Sequence, residues 1–196
     1  MNPYASLDDR QFWRRSVSNV ERRNVDPVAE PRFQIARDAK VATSGSCFAQ
    51  HISRQLSQIG FNFFVTEDGA DLPEQERRNR QFGVYSARFG NIYTTAQLYQ
   101  LFQEAFGARI PVERAWQRAD GAFVDPYRQQ VEPEGFPTVE DLLAARAVHL
   151  AAVRRMFVEC DVLIFTLGLT EGWRSKVDGS VFPLAPGVAR GVDRHV

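Results

Sequence analysis

Two short stretches hold residues able to do chemistry at neutral pH: Ser44-Gly45-Ser46-Cys47 and Gly168-Leu169-Thr170-Glu171. The first follows Val41-Ala42-Thr43, a β-type run, and precedes a helical pattern, so it reads as strand, turn and helix. A glycine permits the tight turn, and the serine after it falls at a helix N-terminus. Unbonded N–H groups and the helix dipole can stabilise an oxyanion beside such a hydroxyl. Ser46 is therefore a candidate nucleophile for acyl transfer. It is equally a candidate N-cap, a job open to Ser44 as well. Cys47 is an alternative nucleophile, since a helix N-terminus favours the thiolate, or else a small apolar residue packed behind the turn. The second stretch follows Val162–Leu167, an apolar run that reads as a strand buried on both faces. Ligands of an open parallel sheet gather beyond the carboxyl ends of its strands, so both stretches are expected on one edge. Glu171 there can orient a base, bind substrate or cap the chain as it leaves the strand.

A serine nucleophile needs a base. His51 lies five positions after Ser46 on the same expected helix, which at about 100° per residue turns it well away. It reads as an alternative base or as a surface histidine. His149 sits in mid-helix among Ala and Leu, packed or half-exposed. Tyr85, Tyr93, Trp116, Trp173 and Arg174 can line a sugar site or belong to the core.

The elements that must position these residues follow from pattern. Residues 1–40 contain Pro3, Pro27 and Pro31 and read as an extended or partly helical arm ahead of a domain over 41–196. After Ser46, Phe48, Ile52, Leu56 and Ile59 recur at helical spacing and Gly60 ends the helix. Phe61–Thr66 reads as a second strand, which completes a β-turn-α-β unit of a parallel sheet. Glu67–Arg88 is polar and reads as a long surface loop. A helix is expected from Thr94 or Thr95 to Gly107, with Leu98, Leu101, Phe102 and Ala105 on one face. An Asp120-Gly121 turn within Ile110–Pro137 suggests a hairpin or an irregular excursion there. Thr138 caps a helix to about Phe157, with Leu142, Ala145, Val148, Leu150, Val153 and Phe157 as apolar positions. Asp178-Gly179 marks a second hairpin over Trp173–Phe182.

Lys+Arg and Asp+Glu balance at 24 each, so no global field points to nucleic acid or an anionic membrane. Two cysteines, Cys47 and Cys160, are too few for a disulfide framework and have no metal-ligand spacing, so a reduced, cytoplasmic setting without metal or cofactor is expected. The longest apolar run is far short of a membrane span. A nucleotide-binding reading is weak, because the Ser44–Ala49 turn has one glycine and no basic residue for phosphate.

Gly45-Ser46-Cys47-Phe48-Ala49 spells the motif that names the GSCFA family. Phe89-Gly90-Asn91-Ile92-Tyr93-Thr94 and Thr166-Leu167-Gly168-Leu169-Thr170-Glu171 resemble two further elements of that family, in order. The resemblance runs from about Val41 onward and places the chain near the SGNH (GDSL-like) hydrolases. It implies an α/β fold, a flavodoxin-like three-layer sandwich with a central, mostly parallel sheet. It also implies esterase or acyltransferase chemistry on a small-molecule or carbohydrate ester; the alternative is a non-catalytic module that keeps the cleft to bind a glycan or a partner. Ser46 then matches the nucleophile, with its own N–H in the oxyanion hole. Gly90 matches an oxyanion donor with Asn91 as polar support, and Gly168 and Thr170 stand in the third block, Thr170 where that superfamily has Asn. The superfamily takes its Asp and His from a late Asp-x-x-His. Asp193-Arg194-His195 departs from that spacing and reads as a coincidental match, so the fold is expected to be incomplete at Val196.

Overall fold

The computed structural model describes residues 3–26 and 31–185. The chain divides into two compact units, Met1–Ile35 and Ala36–Val196. In the first, short helical turns occupy Asp9–Gln11, Arg14–Ser18 and Arg22–Asn24, and none of them buries a residue.

The second unit is mixed α/β. Its centre is a parallel pair, β1 (Val41–Gly45) and β4 (Val162–Thr166), in register from Val41 opposite Val162 to Gly45 opposite Thr166. Helix α1 (Cys47–Gln58) packs on both strands. Its buried face is Ala49, Ser53 and Leu56, whereas Phe48 and Ile59 of the expected stripe are exposed. Small residues let the helix lie close to the sheet, and Ser53 meets the buried polar backbone by donating to Val84 O.

The expected strand Phe61–Thr66 is reduced to one parallel bridge, Phe63 to Val41. Another segment displaces it. Ser86 N–H donates to Thr43 O, Ser86 Oγ accepts from Thr43 N–H, and Ile92 N–H donates to Gly45 O. The free side of β1 is thus shared between residues 62–64 and 86–92. The expected surface loop Glu67–Arg88 is corrected for the same reason. It holds α2 (Glu74–Asn79), and Tyr85, Ser86, Ala87 and Arg88 are all buried. Strand β4 is half-buried rather than covered on both faces, and Leu167 beyond it is 67% exposed. Among the described residues the parallel sheet has only these two strands and the one bridge.

Helix α3 (Thr95–Ala105) starts at a reciprocal cap between Thr94 and Gln97. It packs on α4 (Val139–Glu159), which Thr138 caps. Two antiparallel hairpins complete the unit: β2 (Trp116–Gln117) with β3 (Phe123–Val124), and β5 (Trp173–Arg174) with β6 (Val181–Phe182). One apolar core joins Ala42, Tyr85, Phe89, Leu101, Val153 and Met156; a smaller one stacks Trp116, Val124 and Phe182.

The inner face of α4 reads Leu142, Arg146, His149, Val153 and Met156, while Val148 is exposed. Two core positions on a helix are therefore polar, and each is paired. Arg146 donates to both Asp125 oxygens, at 2.9 and 2.7 Å, and to Glu104. Arg128 donates to Asp125 at 2.8 Å, and Arg88 donates to Glu132. His149 Nδ1 lies 2.7 Å from Glu67 Oε2.

This pair makes stability fall on acidification in two stages. Burial, helped by the Arg128 charge, pushes His149 down from 6.5 to about 4. Between those values the unfolded chain binds a proton that the folded chain refuses, so stability declines as pH drops from 6.5 to 4. Burial alone would raise the Glu67 carboxyl, but its bond to His149 and the Arg128 charge outweigh that and hold it at about 2. Its contribution is present above 4.5 and is lost as pH falls towards 2. Urea midpoints at pH 7, 5 and 3 should fall in that order. Equal midpoints at pH 7 and 5 would show that His149 protonates freely in the folded chain.

Candidate functional site

β1 ends at Gly45 and α1 begins at Cys47, so the strand-to-helix reversal rests on Gly45 and Ser46. Gly45 has φ +136°, a value that side chains forbid. Ser46 is extended, with φ −74° and ψ 179°, and it caps α1 by position only, since its hydroxyl makes no bond to the helix. Instead Ser46 Oγ and Thr166 Oγ1 share a hydrogen bond at 3.2 Å. The Ser46 N–H donates to Thr166 O at 3.2 Å and to Thr166 Oγ1 at 3.1 Å. The backbone donor expected to face an oxyanion is therefore engaged by the neighbouring strand. Helix geometry leaves the N–H groups of Cys47 and Phe48 without a carbonyl one turn back.

Gly168 packs against this serine. A Cβ there would fall 2.7 Å from Ser46 Cβ and 2.8 Å from Tyr93 Cδ1, closer than atoms tolerate. Gly168 N–H donates to Tyr93 O at 3.0 Å, which ties residues 90–93 to the ends of both central strands. Tyr85 adds a second tie. Its hydroxyl donates to Asn91 Oδ1, lies 3.3 Å from Ser46 O and accepts from Gln50 Nε2. Burial pushes the Tyr85 phenol up to about 12 and raises that of Tyr93, so both stay protonated at neutral pH.

The structure thus brings Ser46, Gly168 and Asn91 together, with Tyr85 and Tyr93 beside them. Gly90 is buried at the start of the same segment, against Val131. Thr170 and Glu171 are exposed, and among the described residues the Ser46 hydroxyl bonds only to Thr166. Thr170 opens onto a cleft of about 660 Å³, lined also by Thr94, Thr95, Tyr99, Arg109 and Arg174. Cys47 is exposed, which removes its reading as a packed apolar residue. His51 is exposed, with its ring 6.4 Å from that of Phe48. His149 is fully buried on Glu67, and His195 lies outside the described residues. Pattern reading missed the part played by Thr166. Its signal is that it is the polar residue ending an apolar strand two positions before Gly168.

The crowding at Gly168 makes a direct test. Gly168→Ala should displace the Ser46 side chain and cost about 1–3 kcal/mol of stability through overpacking. A displacement of that kind should slow modification of Ser46 by a serine-reactive phosphonate about tenfold or more relative to the parent, because reactivity depends steeply on placement. Unchanged labelling would show that Ser46 does not depend on Gly168 for its position.

The model of the GSCFA family matches residues 40–194. The chain belongs to the GSCFA family. No curated protein and no solved structure matches it. The family match takes in the β1–α1 turn, the 90–93 segment and the end of β4, which are the parts that meet at Ser46. Among the described residues of this GSCFA chain, no helix is long and apolar enough to cross a membrane. Among them, too, no cluster of three or more His, Cys, Asp or Glu is placed to hold a metal ion.

Proposed function

We propose that this GSCFA protein is a serine-dependent ester hydrolase or acyltransferase with Ser46 as nucleophile. The observation that carries the reading is the Ser46 hydroxyl itself. It stands at a helix N-terminus, is not used as a cap, and is held at the carboxyl edge of a parallel strand pair. A helix start there offers the N–H groups of Cys47 and Phe48 to a developing oxyanion. In this proposal Gly90, Asn91, Gly168 and Thr170 surround the reacting ester, and Glu171 and the cleft beyond Thr170 take the rest of a small-molecule or carbohydrate substrate. In the same proposal the β1–β4 pair and the helices packed on it belong to a flavodoxin-like three-layer sandwich of the SGNH-hydrolase type, in a cytoplasmic protein.

The test is covalent. A fluorophosphonate should label the parent chain at one residue, identified by peptide mapping as Ser46, and Ser46→Ala should abolish both labelling and aryl acetate turnover. Labelling at Cys47 or at no residue would sink the nucleophile assignment.

A second reading, a binding module for a glycan or a partner, has its own support. Among the described residues no histidine bonds to Ser46, and His149 is committed to Glu67. Saturable binding of an oligosaccharide, with no turnover and no labelling, would favour it.

A further inference from the structure

A separate chamber lies behind Asn91, between α3, α4 and the chain around residue 128. Its walls include Phe89, Asn91, Glu104, Arg128, Arg146 and His149. His149 is fully buried, yet among the described residues no protein group donates to its Nε2. The ring's other nitrogen, Nδ1, is bonded to Glu67, which lines a different and open hollow with Arg80, Phe82 and Arg155. His149 lines the chamber and its partner Glu67 lines the hollow, so the pair lies between the two. Glu67 remains a carboxylate, so the proton of the neutral imidazole sits on Nδ1 and Nε2 presents a lone pair. An acceptor of this kind, buried in a polar wall, calls for a donor.

The chamber's chemistry narrows the class of that donor. Arg128, Arg146 and Glu104 line it, and the two arginines are already paired with Asp125 and Glu104, so the wall offers no unpaired charge to an ion. A carboxylate or a halide would meet the Glu104 carboxylate and has no proton to give to Nε2. A neutral hydroxyl donates to Nε2 and brings no charge into a wall whose arginines are already paired with carboxylates. Size agrees. The chamber volume is about 30 Å³, and an oxygen-sized group needs roughly 10–15 Å³. We infer that this chamber is a binding site for one or two neutral hydroxyl groups, anchored by His149 Nε2. Water and the hydroxyl end of a small polyol share this chemistry.

The test uses the full chain, uniformly labelled with ¹⁵N, at pH 7. Nuclear Overhauser contacts from long-lived water to the His149 ring report water as occupant. Titration with ethylene glycol should shift His149, Phe89 and Leu101 in one saturable process if a polyol enters, and those water contacts should fade together with it. Water contacts that persist without any response to glycol identify water as the occupant. Acetate should produce no saturable change at these residues. A ring that shows neither water contacts nor glycol shifts, or that responds to acetate in preference to glycol, overturns the assignment. His149→Phe should erase both signals; should it fail to fold, the parent titration still decides.

Discussion

Asp125→Ala is expected to destabilise the fold by about 3–5 kcal/mol, the cost of leaving buried charge without its partner. The carboxylate is 1% exposed and is held by two arginines that are themselves buried, Arg128 and Arg146. Their charges outweigh burial, and the Asp125 carboxyl is held far below the usual carboxylate range. Removing it leaves Arg146 with Glu104 alone and Arg128 with no ion-pair partner nearer than Glu67 at 3.9 Å. For a chain of this size each kcal/mol moves the melting temperature by about 2–4 °C, so a fall of roughly 6–20 °C should be seen. Asp125→Asn keeps the shape and loses the charge. It should lose most of the same stability, which separates charge from packing. A loss below about 1 kcal/mol in urea unfolding for both variants would mean that water reaches the two guanidinium groups in place of the carboxylate.

Gly45→Ala should do comparable damage by a different route. An added Cβ would sit 2.4 Å from Thr166 O and 2.7 Å from Thr166 N, atoms of the backbone that cannot swing aside. The φ of +136° adds strain for any side chain. Strain and overpacking of about 1–3 kcal/mol each sum to roughly 2–6 kcal/mol, a large part of a typical folding free energy. The contrast with Gly168→Ala is informative, because there the crowding atoms belong to the side chains of Ser46 and Tyr93. Soluble yield and urea midpoints for the two variants should rank Gly45→Ala as the more destabilised. The reverse order would mean that β1 and β4 separate easily at their ends.

What the sequence made legible were features whose causes are local. The Thr94 and Thr138 caps, the strand-Gly-Ser-helix turn and the two Gly-bearing hairpin turns each depend on residues within a few positions of one another. The features it hid depend on distant partners. Arg146 and His149 look like solvent-facing interruptions of an apolar stripe until Asp125, Glu104 and Glu67, at separations of 21, 42 and 82 residues, are brought to them. Tyr85–Arg88 likewise reads as loop because its hydrogen bonds go to β1, to Glu67 and to Glu132 rather than to its neighbours in the chain. At the site, Ser46 and Gly168 stood out by residue type. Thr166, which holds the serine, and Tyr85, which ties it to Asn91, act only through contacts made across the fold.

The pairing of β1 with β4 has a kinetic consequence. Ser46 and Thr166 are bonded across 120 residues, so the reversal that presents the serine is complete only when almost the whole unit has been made. At roughly 5–20 residues per second of synthesis, the nascent chain waits about 6–24 s between the emergence of the serine and that of its strand partner. Closing so long a loop before any strand pairing can reward it makes this a slow, high-contact-order step. During that interval β1 carries an unpaired edge, a template for wrong pairing with other nascent chains. Refolding of the intact chain should therefore show helix signal recovering ahead of protection at the Ser46 amide in pulse-labelled hydrogen exchange.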